Sequence, residues 1–398
     1  MTTDEHIKLI EEYSAHNYRP LPVVLCRGEG VWVWDVAGRK YLDMLSAYSA
    51  LNQGHRHPKI VAAMKAQLER LTLTSRAFHS DTFGPFCQTL TQACGFEQVL
   101  LMNSGAEAVE TAIKCCRRWG YTKKGIPPDQ AEIIVCENNF HGRTTTIVGF
   151  SSEKLYRDGF GPFTPGFRMI PYNDVAALRQ AVTRNTVALL VEPIQGEGGV
   201  IVPSAGYLAE VRRVCTSAGI LLVLDEIQTG LGRTGRLFCF EHEDARPDIL
   251  IVGKALGGGC YPVSGILTSR EIMAVFVPGN HGSTFGGNPL ACAVGKAAVE
   301  VVIEERLAER ANELGNYLMA GLRKLNSPHV AEVRGKGLLI GIEIRPASGN
   351  ARQFCERLME LGILAKETHN TVVRLAPPLV ITQAEIDWAL ERIAQALK

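Results

Sequence analysis

The sequence predicts an α/β fold in which a mostly parallel sheet is covered by helices on both faces, followed by a smaller α+β unit. Three observations carry this. Four short apolar runs, at 133–136, 187–191, 220–224 and 249–252, are continuous rather than alternating, as strands buried on both faces must be. Helical patterns such as 205–217 lie between them, the arrangement expected of crossovers joining parallel strands. Past Asn288-Pro289 the texture changes to a long helical stretch reaching about residue 325, with charge clusters such as Glu304-Glu305-Arg306, and then to short strand and helix patterns.

Taken in order, the first dozen residues are acidic and lack both the apolar core of a secretory signal and the Arg-rich, acid-poor character of a transit peptide, so the cytoplasm is the expected compartment. Residues 58–71 set Ile60, Val61, Met64, Leu68 and Leu71 near helical spacing. A short apolar strand then enters the turn Asn103-Ser104-Gly105-Ala106 and a helix. Such a turn leaves backbone amides and the positive end of the helix dipole available to an anion. The segment His281-Gly282-Ser283-Thr284 leads through Asn288-Pro289 into another helix and offers a second anion donor. Beyond it, 337–343 and 372–375 read as strands, and 351–361 and 383–397 as helices. Ligand is expected past the carboxyl ends of the parallel strands, where Glu192, Asp225 and Lys254 fall.

Lys254 follows one buried strand and Asp225 ends another. Either residue alone says only that strand ends reach water. Together they supply an amine for a Schiff base and an anion facing a pyridinium nitrogen, which is what pyridoxal phosphate chemistry needs. Gly257-Gly258-Gly259 would let the backbone run close to a flat ring, and Gln228 adds an amide donor for a ring oxygen. Phe140, in Asn138-Asn139-Phe140-His141-Gly142-Arg143, offers an aromatic face. A free lysine, with a reference pKa of about 10.4, has no lone pair for attack near neutrality. Partial desolvation and cationic surroundings make it a neutral base beside a substrate carbon. The carboxylate does the converse, favouring a protonated ring that accepts an electron pair.

On these motifs the chain resembles the class III (subgroup II) pyridoxal phosphate aminotransferases of fold type I, over nearly its whole length. The runs Ala15-His16-Asn17-Tyr18-Arg19-Pro20 and Ser46-Ala47-Tyr48-Ser49 are most similar to the ornithine-acting branch of that family. The resemblance implies a homodimer with active sites completed across the interface, and a division into an N-terminal segment, 1–50, packing with a small domain at 291–398, around a large cofactor-binding domain at 51–290. It implies Lys254 as the Schiff-base lysine, Asp225 as the pyridinium partner, Gln228 at the ring hydroxyl and Phe140 as the stacking ring. Ser104, Gly105 and Ala106 would hold the phosphate, with Thr284 reaching it from the other subunit.

For substrates the resemblance implies L-ornithine, donating its δ-amine, and 2-oxoglutarate. Arg143 would take ornithine's α-carboxylate, Tyr18 would approach its α-amine and Tyr48 would line the cavity. Arg374 would serve 2-oxoglutarate and be covered by Glu197 in the ornithine half-reaction, since guanidinium geometry accepts either carboxylate. His141 stands where a bulkier aromatic follows the stacking ring in some ornithine-acting members, and matches many acetylornithine-acting ones. The rival readings are an N-acetylornithine or other ω-amino acid aminotransferase, an aminomutase needing no keto acid, and a cofactor-binding protein without catalysis.

Composition excludes other classes of partner. With 42 basic and 41 acidic residues the net charge is +1, giving no support for nucleic-acid binding or a membrane surface. No run approaches the roughly 18 continuous apolar residues of a membrane span. Eleven cysteines without a C-x-x-C pair suit a reducing compartment, and the adjacent Cys115 and Cys116 read as small apolar residues on one helix. His55-Arg56-His57 lacks a third ligand nearby, so no metal site is expected.

Overall fold

The computed structural model describes all residues from Met1 to Lys398. A helix, Thr3–Tyr13, is followed by three strands, β1 (Leu25–Glu29), β2 (Trp32–Asp35) and β3 (Lys40–Asp43), and later by the helix Pro58–Leu68. The central strands are β4 (Gln98–Met102), β5 (Glu132–Cys136), β6 (Phe167–Ile170), β7 (Thr186–Val191), β8 (Leu221–Asp225), β9 (Ile249–Val252) and β10 (Ser264–Thr268). The remainder are β11 (Val330–Lys336), β12 (Leu339–Ile344), β13 (Ile363–Leu364), β14 (Lys366–Thr368) and β15 (Val372–Leu375). They form a seven-stranded sheet in the order β4-β10-β9-β8-β7-β5-β6 and two four-stranded sheets, β1-β2-β3-β13 and β11-β12-β15-β14.

In the large sheet only β10 runs against its neighbours; the rest share one direction. Its strands are apolar throughout because alternate residues enter different cores. Ile134, Cys136, Leu222, Leu224, Leu250 and Val252 face one cluster, while Ile133, Val135, Leu221, Val223, Ile249 and Ile251 face another. The four runs expected as strands are β5, β7, β8 and β9, and Asp225 is the last residue of β8 rather than a residue beyond it.

A third core joins the two ends of the chain. Val31, Leu42 and Met44 share it with Leu290, Ile340, Phe354, Ile363 and Leu375. The link is also made by backbone pairing, since β3 runs parallel to β13 with Leu42 opposite Ile363. Trp32 donates to Glu385 (2.8 Å) and meets Trp388 edge to face. Buried Arg233 ties this assembly to the large sheet, donating to the Leu338 carbonyl (2.9 Å), the Pro377 carbonyl (2.6 Å) and Asn52 (2.6 Å).

One expected element divides. The long helix after Pro289 is two helices, Pro289–Glu304 and Leu307–Lys324, with Arg306 in the left-handed region at φ 52° between them. The acids at the joint turn away to pair with the helix Pro58–Leu68 and its cap, Glu304 with Lys59 (2.7 Å) and Glu305 with His57 (3.1 Å). No helix is long and apolar enough to cross a membrane.

Candidate active site

A cavity of about 130 Å³ opens at the carboxyl ends of β7, β8 and β9 and is walled by Glu192, Asp225, Gln228 and Lys254, with Gly105 and Ala106 on one side and Phe140 and His141 on another. Asp225 is fixed before any ligand arrives: His141 Nδ1–H donates to its Oδ2 (2.7 Å) and the Ile227 amide to its Oδ1 (3.0 Å). His141 is wholly buried. Burial alone would lower its pKa, but the hydrogen bond and charge of Asp225 outweigh this and raise it. The carboxylate therefore stands as the anionic end of a paired unit.

Lys254 opens a 3-10 turn with φ 45°, a left-handed conformation unfavourable for a side-chain-bearing residue. Burial pushes its ammonium pKa down, Glu197 pulls against that shift, and Arg374 adds to it. Gln228 donates to Glu197 Oε1 (3.1 Å), so its amide is in use and its Oε1 is left without a partner, where the sequence suggests a free donor. A Cβ on Gly196 would lie 1.7 Å from that Oε1, so a larger residue there would displace the Gln228 amide.

The helix Gly105–Thr122 begins with a capping box in which the Ser104 hydroxyl accepts from the Glu107 amide and the Glu107 carboxylate accepts from the Ser104 amide. Ser104 is exposed and outside the cavity wall, its polar groups spent on the cap, so the structure does not bring it to the site as expected. The amides of Gly105 and Ala106, at the first helical positions, have no intrahelical acceptor. Thr284 is exposed and also outside this cavity, although its neighbour Ser283 accepts from Asn103 Nδ2 (3.1 Å) and so tethers the second anion loop beside the first. The three glycines after Lys254 do not face the cavity. Gly258 and Gly259 have φ 56° and 69°, and a Cβ on them would meet Ile60 and Leu51, so they serve packing against the N-terminal region rather than passage along a ring.

A second group of residues reaches the cavity wall through Glu197, which lines it, and extends from there to the mouth. Arg374, on β15, is 1% exposed and its Nη1 pairs with Glu197 Oε1. Burial alone would raise the Glu197 pKa, but Arg374 above all holds the carboxyl down at about 2, with Lys254 and Gln228 helping. Arg374 lies 4.9 Å from the Tyr48 ring centroid, and its Nε and Nη2 have no partner in the chain. Tyr48 is delivered by a left-handed turn, Ser46 to Ser49, with φ between 46° and 69° at every residue. Asp43 secures that turn by accepting from the Leu45 and Ser46 amides, each at 2.9 Å. The Glu197 loop is strained too: Val200 sits at φ 53°, held by Arg334, which donates to the Gly199 (2.7 Å) and Val200 (3.1 Å) carbonyls.

Arg143 and Tyr18 are not in the cavity wall. Arg143 is exposed, with its guanidinium 3.9 Å from the Tyr156 ring centroid and 5.6 Å from that of Phe140. Tyr18 is 72% exposed, on a segment pinned by Arg352, which donates to the Arg19 (2.9 Å) and Pro20 (2.8 Å) carbonyls.

Two residues of the site have partners that a reading of the sequence does not give. Glu192, read there as a strand-end acid, is buried and accepts from the Phe140 amide (2.8 Å), with a pKa raised by burial to about 7. His141 is the Asp225 partner, which only its separation of one residue from Phe140 hinted at. His55 and His57 pair instead with separate carboxylates, Asp43 and Glu305.

The donor set fits pyridoxal phosphate. A buried amine with lowered pKa, a paired carboxylate, free helix-start amides and two buried polar atoms without partners, His141 Nε2 and Gln228 Oε1, all meet at one cavity. Comparison with known proteins agrees. The sequence profile described as "Aminotransferase class-III" matches residues 13–397. An ornithine aminotransferase of Brevibacillus brevis is 56% identical over 395 residues, covering 99% of this chain and 98% of its own. The ornithine aminotransferase of Toxoplasma gondii, whose structure shows PLP at partial occupancy in the active site, superposes with a TM-score of 0.98 at 46% identity, covering 100% of this chain and 94% of that one. An acetylornithine aminotransferase from Elizabethkingia anophelis superposes with a TM-score of 0.91 at 50% identity, covering 100% and 99%. With the profile spanning almost the whole chain and the cavity holding the required groups, this protein belongs to the class III aminotransferases and uses pyridoxal 5'-phosphate as its cofactor.

Proposed function

We propose that the chain transfers the δ-amino group of L-ornithine to 2-oxoglutarate, giving glutamate 5-semialdehyde, which cyclises to pyrroline-5-carboxylate, and glutamate. The observation that carries this reading is the asymmetry of two arginines. Arg374 is buried and closed by Glu197, whereas Arg143 is exposed and has no carboxylate partner. A substrate carboxylate meets the open guanidinium first, and the distal amine is then the one directed inward.

When bound, the cofactor supplies an electrophilic carbon for the amine and an electron sink for the carbanion. Lys254 would provide the base: its desolvated amine would take a proton from the substrate carbon and return it to the product. Asp225, held by His141 and the Ile227 amide, keeps negative charge where a ring nitrogen is to be protonated. Gly105 and Ala106 would hold the phosphate, Phe140 the ring face and Gln228 the ring hydroxyl. For 2-oxoglutarate, Glu197 swings from Arg374, whose two spare donors suit an incoming carboxylate. Tyr18 and Tyr48 would contact ornithine at the mouth, and Thr284 of a second subunit would complete the phosphate site in a homodimer. We also propose the division 1–50 with 291–398 as the small domain and 51–290 as the large one, and a cytoplasmic location.

The decisive experiment adds ornithine, N-acetylornithine, 4-aminobutyrate and glutamate in turn to cofactor-loaded enzyme and follows the visible absorbance. Ornithine is expected to bleach it fastest. A faster response to N-acetylornithine favours the second reading, for which the 50% identical Elizabethkingia enzyme speaks. Turnover without any keto acid would mark an aminomutase.

A further inference from the structure

Arg143 is an unusual cation in this chain. It makes no hydrogen bond and no ion pair, yet its guanidinium lies 3.9 Å from the Tyr156 ring centroid, within the range at which an aromatic face attracts a cation. Tyr156 in turn meets Phe140 edge to face, with centroids 6.0 Å apart and planes at 77°. Phe140 itself walls the cofactor cavity.

We infer that Tyr156 is a positioning residue for substrate specificity: its ring is the platform that holds Arg143 at the mouth, with every N–H free for the α-carboxylate of an ω-amino acid. This deepens the proposed function and rests on it. A carboxylate partner on the protein would hold Arg143 as firmly but occupy the donors that the substrate needs. An aromatic face fixes the guanidinium plane and leaves its edge open. The Tyr156 hydroxyl has no partner in the chain, so the ring is the part in use.

The platform is anchored. Tyr156 lies on the short helix Lys154–Arg157, whose first turn is capped when Glu153 accepts from the Leu155 amide (3.3 Å). The loop before it is tied to the end of β5, where the Asn138 amide donates to Ser152 Oγ (2.7 Å) and Asn139 donates to the Cys136 (2.6 Å) and Phe150 (3.0 Å) carbonyls. The position of Arg143 is thereby referred to the same strand that leads to Phe140 and His141.

The test compares ornithine with 1,4-diaminobutane, which is ornithine without its α-carboxylate, on cofactor-loaded wild-type, Tyr156→Leu and Tyr156→Phe enzymes. Tyr156→Leu is expected to raise the KM for ornithine about three- to thirtyfold, the span of a cation–π contact, with kcat little altered. Its kcat/KM for 1,4-diaminobutane and its KM for 2-oxoglutarate should stay within about twofold of wild type, and Tyr156→Phe should restore the ornithine value. Equal losses on both amines in Tyr156→Leu, with the wild-type preference for ornithine intact, overturn this inference alone, as does failure of Tyr156→Phe to rescue. If wild-type enzyme shows no preference for ornithine over the diamine, Arg143 is not a carboxylate receptor and the proposed function falls with it.

Discussion

The floor of the cavity and its mouth are built differently. On the floor, Asp225, His141, Glu192 and Lys254 sit at or past the ends of parallel strands, the first three buried and fixed by hydrogen bonds. At the mouth, Tyr48, Arg143, Glu197 and Arg374 arrive from four distant stretches; left-handed backbone occurs in both groups, at Lys254 on the floor and at Ser46 to Ser49 and Val200 behind the mouth. Such conformations cost about 1–3 kcal/mol each and persist only where surroundings enforce them. Behind the mouth Asp43 and Arg334 do the enforcing. The difference teaches that the floor is preorganised, whereas the proposed selection works through a contact that can open. Arg374 keeps two donors spare, so Glu197 is replaceable by a ligand.

This contrast is breakable. Asp225→Asn keeps the shape of the floor and removes its charge, so it should lower kcat on the order of 10²–10³-fold, comparable to loss of one electrostatic contact in a buried site. The loss should be similar for the ornithine and glutamate half-reactions, measured separately by rapid mixing. A loss confined to one of them would mean that the floor also selects. Glu197→Gln acts at the mouth and should do the opposite. A neutral amide no longer pairs fully with Arg374, a charge-assisted contact. The ratio of ornithine to glutamate rates should then fall roughly tenfold, with their common maximal rate changed much less. An unchanged ratio would remove Glu197 from selection.

Of the floor, Asp225 and Lys254 are legible in the sequence, for a physical reason, whereas the roles of His141 and Glu192 are not. Strands buried on both faces leave continuous apolar runs, and Asp225 and Lys254 announce themselves as charges at the ends of such runs. The Ser104-Gly105 turn was equally plain as a helix start, but sequence alone did not tell a capping hydroxyl from a phosphate ligand, and Ser104 is the former. Gly258 and Gly259 misled in the same way, because the need for a small residue does not say which neighbour is close. The mouth was less legible. Arg374, Glu197 and Tyr48 are marked only by family resemblance, since nothing local marks residues that meet across 177 positions, as Arg374 meets Glu197, or 326, as it meets Tyr48. Tyr156 carried no signal, being one tyrosine on a four-residue helix. The break at Arg306 carries no local signal, since the left-handed residue lies inside a continuous helical pattern and the partners of Glu304 and Glu305, Lys59 and His57, are distant in the chain.

The smallest expected effect tests whether the floor is a single electrostatic unit. Glu192 has a folded pKa raised to about 7 from an ordinary value of 4.5, chiefly by burial, with the His141 charge opposing and the Asp225 charge reinforcing the shift. Between those two values the folded chain holds a proton that the unfolded chain has released, so folding stability must fall as pH rises through this window and then level off. Glu192→Gln retains an oxygen to accept from the Phe140 amide and cannot titrate. The melting temperature of the variant should therefore gain on wild type from about pH 4.5 to about pH 7, by a few degrees at most, and run parallel to it above. A gap independent of pH across the window would mean that Glu192 stays ionised beside His141. The buried unit would then carry two carboxylates against one imidazolium, and Asp225 would share its partner rather than own it.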